Sequence, residues 1–310
     1  MEAVVCLLAV LMDMWLGEPK RFHPLVGFGL LAGVVEKWFY GAHDIGALAR
    51  KIRGTIGVFI LIVPLMALLY LLLQWEAGSV FLEVLVLYLA IGMTSLEQHA
   101  RAVALALMNG NIELARTNVA KIVSRDCREL DASQAAKATI ESVLENGSDG
   151  IFGAIFWYLV LGAPGVLMYR LANTLDAMWG YRNSRYQDFG WAAARFDDLV
   201  NWVPARLTAL SYALLGNTAG ALACWKAQSR QWESRNAGAV LASGAGALTL
   251  CLGGVAYYQG KIHKRPLLGE GPIPETRDIG RAMLLVKNGV LLWLGVIVIT
   301  ASSIHYFHQT

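Results

Sequence analysis

One run constrains this chain more than any other. Residues 56–73, IGVFILIVPLMALLYLLL, pass through eighteen positions without a charge. At about 1.5 Å per residue such a helix covers roughly 27 Å, close to the ~30 Å hydrocarbon core of a bilayer. In lipid every backbone polar group must be satisfied within the segment, so the run predicts a spanning helix. Pro64 inside it predicts a kink that neighbouring helices accommodate. Composition agrees: 56% of residues are hydrophobic and 16% charged, against about 25% charged in soluble domains. Mean hydropathy is +0.48. A net charge of +3, with no basic helix or aromatic RNA-type motif, excludes a nucleic-acid partner. The four cysteines, at 6, 127, 224 and 251, form no CxxC pair. Neither a zinc site nor a disulfide framework is indicated, and a reducing compartment fits.

The other apolar runs fill in the plan. Residues 3–16 predict a short membrane helix that delivers Asp13, Glu18 and His23 to the interface. The start lacks a basic n-region, which argues against a cleaved signal peptide. Residues 80–96 return through the membrane. Residues 151–168 are interrupted by Gly162, Pro164 and Gly165. A full crossing there would put the polar segments 97–150 and 170–206 on opposite faces, so the expectation is a re-entrant or broken helical hairpin. The runs 207–223 and 238–258 are rich in Gly and Ala. Glycines 244, 246, 253 and 254 fit neither G-x-G-x-x-G nor a Walker sequence and suit close helix packing. A last span runs from about 289 to 304. His305 and His308 behind it suit an interfacial tail. Basic content places 17–55 and 259–288 on the cytoplasmic side. The expected fold is all-α and polytopic, a single membrane-embedded domain over 1–310. It has about five to seven membrane helices, with polar helical segments 97–150 and 170–206 on the cytoplasmic face.

Those two segments carry the candidate chemistry. From Arg170 to Arg206 every charge is Arg or Asp: Arg170, Arg182, Arg185, Arg195 and Arg206 against Asp176, Asp188, Asp197 and Asp198. The guanidinium fork suits carboxylate and phosphate, and the short Asp side chain suits a hard cation. Arg170, Asn173 and Asp176 follow one another at i+3. Asn201 lies at i+4 from Asp197 and i+3 from Asp198, so it can share a face with either, with Asp198 preferred as the cation ligand. In 97–150, Asn109-Gly110-Asn111 predicts the end of one helix and the start of another. Asp131 or Ser133 then caps a helix that carries Glu141 and Glu145 at i, i+4, with Asn146 and Asp149 just beyond. A solvated acidic face, or a salt-bridge network bracing polar loops, explains the same pattern.

Three runs carry a resemblance: IESVLENGSDG, YRLANTLDAMWGYRN and FGWAAARFDDLVNWVPARLTA. With the N-terminal DMWLGEPKRFHPLVGFG they resemble the adenosylcobinamide-phosphate synthase family, and the likeness covers nearly the whole chain. The chain departs from that pattern at Arg235, Val240 and Cys127. The resemblance implies a multi-pass enzyme of the cell inner (cytoplasmic) membrane with its active site facing the cytoplasm. Its partners would be adenosylcobyric acid, aminopropanol or aminopropanol phosphate, membrane lipids and other corrinoid-assembly enzymes. The enzyme would join the amine to a carboxylate side chain, consuming ATP with Mg²⁺. Amide formation from a carboxylate needs activation, cationic clamps on the developing charge and a neutral amine.

The residues placed in catalytic roles are Glu141, Glu145, Asp149, Asp197 and Asp198, with Glu145, Asp149 and Asp198 as Mg²⁺ ligands. Those placed on substrate are His23, Arg170, Asn173, Asp176, Tyr181, Arg182, Arg195, Asn201 and Arg206. Trp179, Trp191 and Trp202 either stack on a flat macrocycle or form an interfacial belt. Three rivals stand beside this reading. A membrane sensor of the related β-lactamase-induction group would not need such a density of Asp, Asn and Arg. A lipid phosphoalcohol transferase would need D-G-x-x-A-R, and the chain fails that pattern after Asp149-Gly150. A scaffold for other corrinoid enzymes would turn nothing over.

Overall fold

The computed structural model describes residues 1–19, 23–41, 45–75, 78–258 and 261–309. The chain opens with α1 (Glu2–Leu16), α2 (Pro24–Phe39), α3 (Ala47–Leu73) and α4 (Ser79–Ala90). Helix α2 starts where the sequence tells it to: Pro24 sits at the first helical position, and His23 caps the turn by accepting the Leu25 N–H on Nδ1 at 3.2 Å. The polar part follows as α5 (Met93–Met108), α6 (Ile112–Val119) and α7 (Ala132–Gly147). Gly110 in the left-handed region (φ 68°) separates α5 from α6, whose N-cap is Asn111. Asp131 caps α7 in a full capping box with Gln134.

A π-helical turn (Ser148–Phe152) leads into α8 (Gly153–Trp179), α9 (Tyr186–Phe189) and α10 (Trp191–Val200). Next come α11 (Trp202–Leu215), α12 (Thr218–Gln228) and α13 (Arg235–Leu248). A hairpin of β1 (Leu252–Tyr258) and β2 (Lys261–Leu268) precedes α14 (Thr276–Gln309). The hairpin revises the expectation of a continuous apolar run over 238–258. Thr249 ends α13 in the left-handed region, and β1 pairs antiparallel with β2 from Leu252↔Leu268 to Tyr258↔Lys261.

Among the described residues, four stretches are long and apolar enough to cross a membrane: 47–73, 79–108, 132–179 and 276–303. The estimate of about five to seven includes 207–223 and 238–258, and the structure breaks these at Gly216 and Thr249. The single domain expected over 1–310 is packed as two compact units. One is Met1–Ile91 with Gly153–Trp202, the other Gly92–Phe152 with Val203–Thr310. In the first, Trp179, Phe28, Leu61, Leu175 and Phe189 form the core. In the second, α13 is buried along its whole length after Arg235, as its small residues allow. Ser243 Oγ there donates to the Ala209 carbonyl at 2.6 Å.

The interruption at 162–165 folds α8 back on itself, as expected. Gly162 takes φ 64°, ψ −157°. A Cβ on Gly165 would lie 2.5 Å from the Trp157 carbonyl oxygen, although eight residues of straight helix span about 12 Å. Gly153 likewise abuts the Tyr169 ring. The two arms therefore run antiparallel, and residue 153 shares an end with residue 169. Gly165→Ala is expected to cost about 1–3 kcal/mol, because the methyl has no room beside a carbonyl. Gly33→Ala, with nothing within 4 Å of the added atom, should be neutral or slightly stabilising. Melting curves of the two variants in one detergent check the pair, and equal midpoints would count against the folded-back arm.

Candidate functional site

In the first unit, α8 and the end of α10 bring four of the predicted residues together: Asn173, Asp176, Asp197 and Asn201. Asp197 accepts the Asn201 side-chain amide on both carboxylate oxygens, at 3.1 Å each. Asn201 is only 2% exposed, and its Oδ1 accepts the Tyr169 hydroxyl at 2.7 Å. Asn173 supplies a further hydrogen bond to Asp197. The Trp157 indole N–H donates to the Val200 carbonyl at 2.9 Å and fixes the end of α10. Of the i+3 series, Asn173 and Asp176 meet Asp197, while Arg170 lines a cavity with His23. The spacing missed Tyr169 and Trp157, which hold Asn201 and the end of α10. Helical spacing cannot reveal a partner on another element.

Burial pushes the Asp197 carboxyl up to about 7, and the charge of Asp176 adds to the rise. The bonds from Asn201 and Asn173 oppose it, and Asp198 contributes a smaller push upward. Asp197 is therefore poised near neutrality, where a carboxylate can both take and release a proton.

The two adjacent aspartates part company here. Asp198 is half-exposed and pairs with Arg195 at 3.2 Å, one turn back on the same helix. Asn201 faces Asp197 instead. The expectation that Asn201 completes an oxygen face with Asp198 is therefore corrected: i+4 wins over i+3 because α10 ends at Val200 and Asn201 caps it. Trp179 is also corrected. It is fully buried, 5.0 Å from the Phe189 ring, and has no face to offer a macrocycle. Tyr181, Arg182, Trp191 and Trp202 are exposed. His23 lies on the α2 N-terminus and lines a cavity together with Arg170.

In the second unit, Glu141 is 4% exposed and its carboxylate is fully engaged. Arg125 Nη2 donates to Oε2 at 2.7 Å. Arg265 Nη1 and Nη2 approach the two oxygens at 3.1 and 3.2 Å. The Gly253 N–H donates to Oε1 at 2.8 Å. Arg265 in turn lies 5.0 Å over the Trp232 ring. This is a brace between α7 and the β-hairpin. Arg125 and Arg265 are the residues that sequence reasoning did not select. Glu145 lies one turn on, within electrostatic reach of both arginines, and its carboxylate makes no hydrogen bond among the described residues. Asp149 opens the π-helical turn beneath Tyr212, whose hydroxyl donates to the Leu144 carbonyl at 3.1 Å. Arg206 donates to the Asn236 side-chain oxygen. Burial, and then Arg235, hold its guanidinium below the usual arginine range.

Among the described residues no group of three or more His, Cys, Asp or Glu side chains has the geometry to hold a metal ion. Mg²⁺ is usually bound by one or two carboxylates completed by substrate phosphates and waters. Asp176, whose charge is felt at Asp197, fits that mode as a single carboxylate, while both Asp197 oxygens accept the Asn201 amide.

The family model described as CobD/Cbib protein matches residues 6–286. A protein of Chromobacterium violaceum named Cobalamin biosynthesis protein CobD is 52% identical over 305 residues, covering 97% of each chain. One of the same name from Stutzerimonas stutzeri is 53% identical over 289 residues, covering 93% of this chain and 94% of its own. A Mycobacterium tuberculosis protein so named is 36% identical over 297 residues, covering 92% and 91%. No solved structure matches the chain.

Proposed function

The chain belongs to the CobD/Cbib protein family, and from that premise we propose that it acts in cobalamin biosynthesis as a multi-pass, ATP-dependent amide ligase. It attaches aminopropanol, or its phosphate, to a carboxylate side chain of adenosylcobyric acid. The site faces the cytoplasm, where ATP is available. The observation that carries this reading is the network Tyr169–Asn201–Asp197–Asn173 beside Asp176.

An amine at neutral pH arrives as an ammonium and must lose a proton before it can attack an activated acyl group. Asp197, charged beside Asp176, attracts that ammonium. With its carboxyl near 7 it accepts that proton and frees the nitrogen lone pair for attack. The leaving phosphate or nucleotide departs with the oxygen of the former carboxylate. Mg²⁺ arriving with ATP would neutralise charge on the phosphates, with Asp176 as the carboxylate that would hold it and Asp197 left free of metal as the base. Arg182 and Arg195 are the first unit's candidates for clamping anionic groups.

Purified protein offered ATP, adenosylcobyric acid and the amine, with and without its phosphate, tests the reading by mass spectrometry of the products. A new amide in either arm supports it and identifies the amine. ATP left intact with both amines would overturn the ligase and favour a sensor or scaffold. Within the same assay, Asp198→Asn should keep turnover within about threefold of wild type, since an exposed i, i+3 pair contributes little. A loss beyond about a hundredfold would return Asp198 to the reacting centre.

A further inference from the structure

The first unit encloses a cavity of about 430 Å³ between α2, α3, α4 and the second arm of α8. That is within the roughly 300–1,000 Å³ of small-molecule sites. Its walls are aliphatic: Leu65, Leu69, Leu85, Leu89, Val166 and their neighbours. Two side chains with charge or the capacity for it, His23 and Arg170, also line it. The substrates of the proposed ligase do not suit this space. A corrinoid is far too large, and a small amino alcohol or its phosphate has no apolar surface to place against leucines.

The mouth says what does suit it. Leu31, Leu68 and Leu72 line the cavity and are 45%, 53% and 48% exposed. Leu68 and Leu72 belong to α3, an apolar helix long enough to cross a bilayer. In a membrane these residues meet lipid rather than water, so the cavity opens onto acyl chains. An apolar void of this size does not hold water stably. The cationic end adds a second constraint. Arg170 favours an anion there, while His23 beside it is taken up by the Leu25 N–H on Nδ1 and by Glu18, 3.9 Å from Nε2.

We propose that this cavity binds one acyl chain of an anionic membrane phospholipid, with the headgroup phosphate at the His23–Arg170 end. The site is distinct from the Asp197 network in its chemistry, and it does not depend on which reaction the protein catalyses. Burial of successive methylenes against the leucines supplies affinity, and Arg170 supplies selectivity for charge.

Spin-labelled lipids in reconstituted vesicles test the proposal. The wild-type protein is placed in phosphatidylcholine vesicles carrying a trace of labelled phosphatidylglycerol or labelled phosphatidylcholine, and the motionally restricted fraction is read by electron paramagnetic resonance. The expected result is about a fivefold preference for phosphatidylglycerol, the ratio one basic side chain confers on an anionic headgroup. Leu85→Trp fills the cavity and should bring the restricted fraction for both lipids down to the annular background while ATP turnover persists. Arg170→Gln should remove the preference and keep the restricted fraction. Ala90→Phe serves as a second filling variant should Leu85→Trp fail to fold. Equal restricted fractions in the wild type and a folded filling variant would overturn the site, and equal affinity for the two lipids would overturn the anionic end. Loss of ligase activity with intact lipid restriction would count against the ligase alone.

Discussion

Asp197→Asn is expected to leave a well-folded protein with turnover reduced by a factor of about a hundred to ten thousand, the range over which a positioned acid–base group contributes. The stability half of that expectation follows from the sign of the titration. In an unfolded chain an aspartate ionises near 3.8, and in this fold Asp197 ionises at about 7. The folded state therefore holds the proton more tightly. The penalty for charging it is absent below about pH 4, grows between about pH 4 and pH 7, and is fully present above that. Asparagine matches the protonated form in shape and carries no charge. The variant should be at least as stable as wild type at pH 5 and more stable than wild type at pH 8. Activity should move oppositely, with wild-type turnover rising through pH 7 as Asp197 loses its proton and the variant flat and low. Melting curves in detergent at the two pH values, with a pH–rate profile for ATP consumption, check both halves. A variant that melts well below wild type at pH 5 would make Asp197 a structural residue. A folded variant with wild-type turnover would remove it from the reaction.

The sequence made the segments legible and left their partners hidden. Uncharged runs, capping residues and breakers are local signals. They located α3, the Asp131 capping box, the Asn109–Asn111 break and the fold-back at Gly162. Partner choice depends on which elements meet, and a one-dimensional pattern does not contain that. Asn201 stands within reach of both Asp197 and Asp198 by helical spacing, and only the end of α10 decides between them. Trp179 looks like an interfacial ring in a polar motif, but it lies in the core because α9 folds back over it with Phe189. The hairpin was hidden because β1 begins as an apolar Gly-rich stretch continuous in composition with α13. Arg265 on β2, more than a hundred residues from Glu141, pairs with it only once that hairpin has formed.

Glu141 shows how such a hidden partner changes the expected outcome of a substitution. Read from sequence, Glu141 and Glu145 form an i, i+4 pair of like charges, and removing one should relieve mild repulsion or abolish catalysis with the fold intact. In the structure Glu141 is the shared counter-charge of Arg125 and Arg265, and it also accepts the Gly253 N–H that begins the hairpin. The side chains of Arg125 and Arg265 are 6% and 17% exposed. Glu141→Gln leaves two largely buried guanidiniums without a carboxylate, and breaking a buried pair from one side costs about 3–5 kcal/mol. The expected result is a melting temperature lower by roughly 10 °C, with early proteolytic cleavage between residues 250 and 270 as the hairpin loosens from α7. Glu145→Gln, which breaks no hydrogen bond among the described residues, should melt close to wild type. The double variant Glu141→Leu with Arg265→Met should recover part of the loss, because two apolar side chains replace two of the buried charges. Melting curves and timed proteolysis of the four proteins check this. A Glu141→Gln protein that melts like wild type yet consumes no ATP would move Glu141 from the brace to the reacting centre.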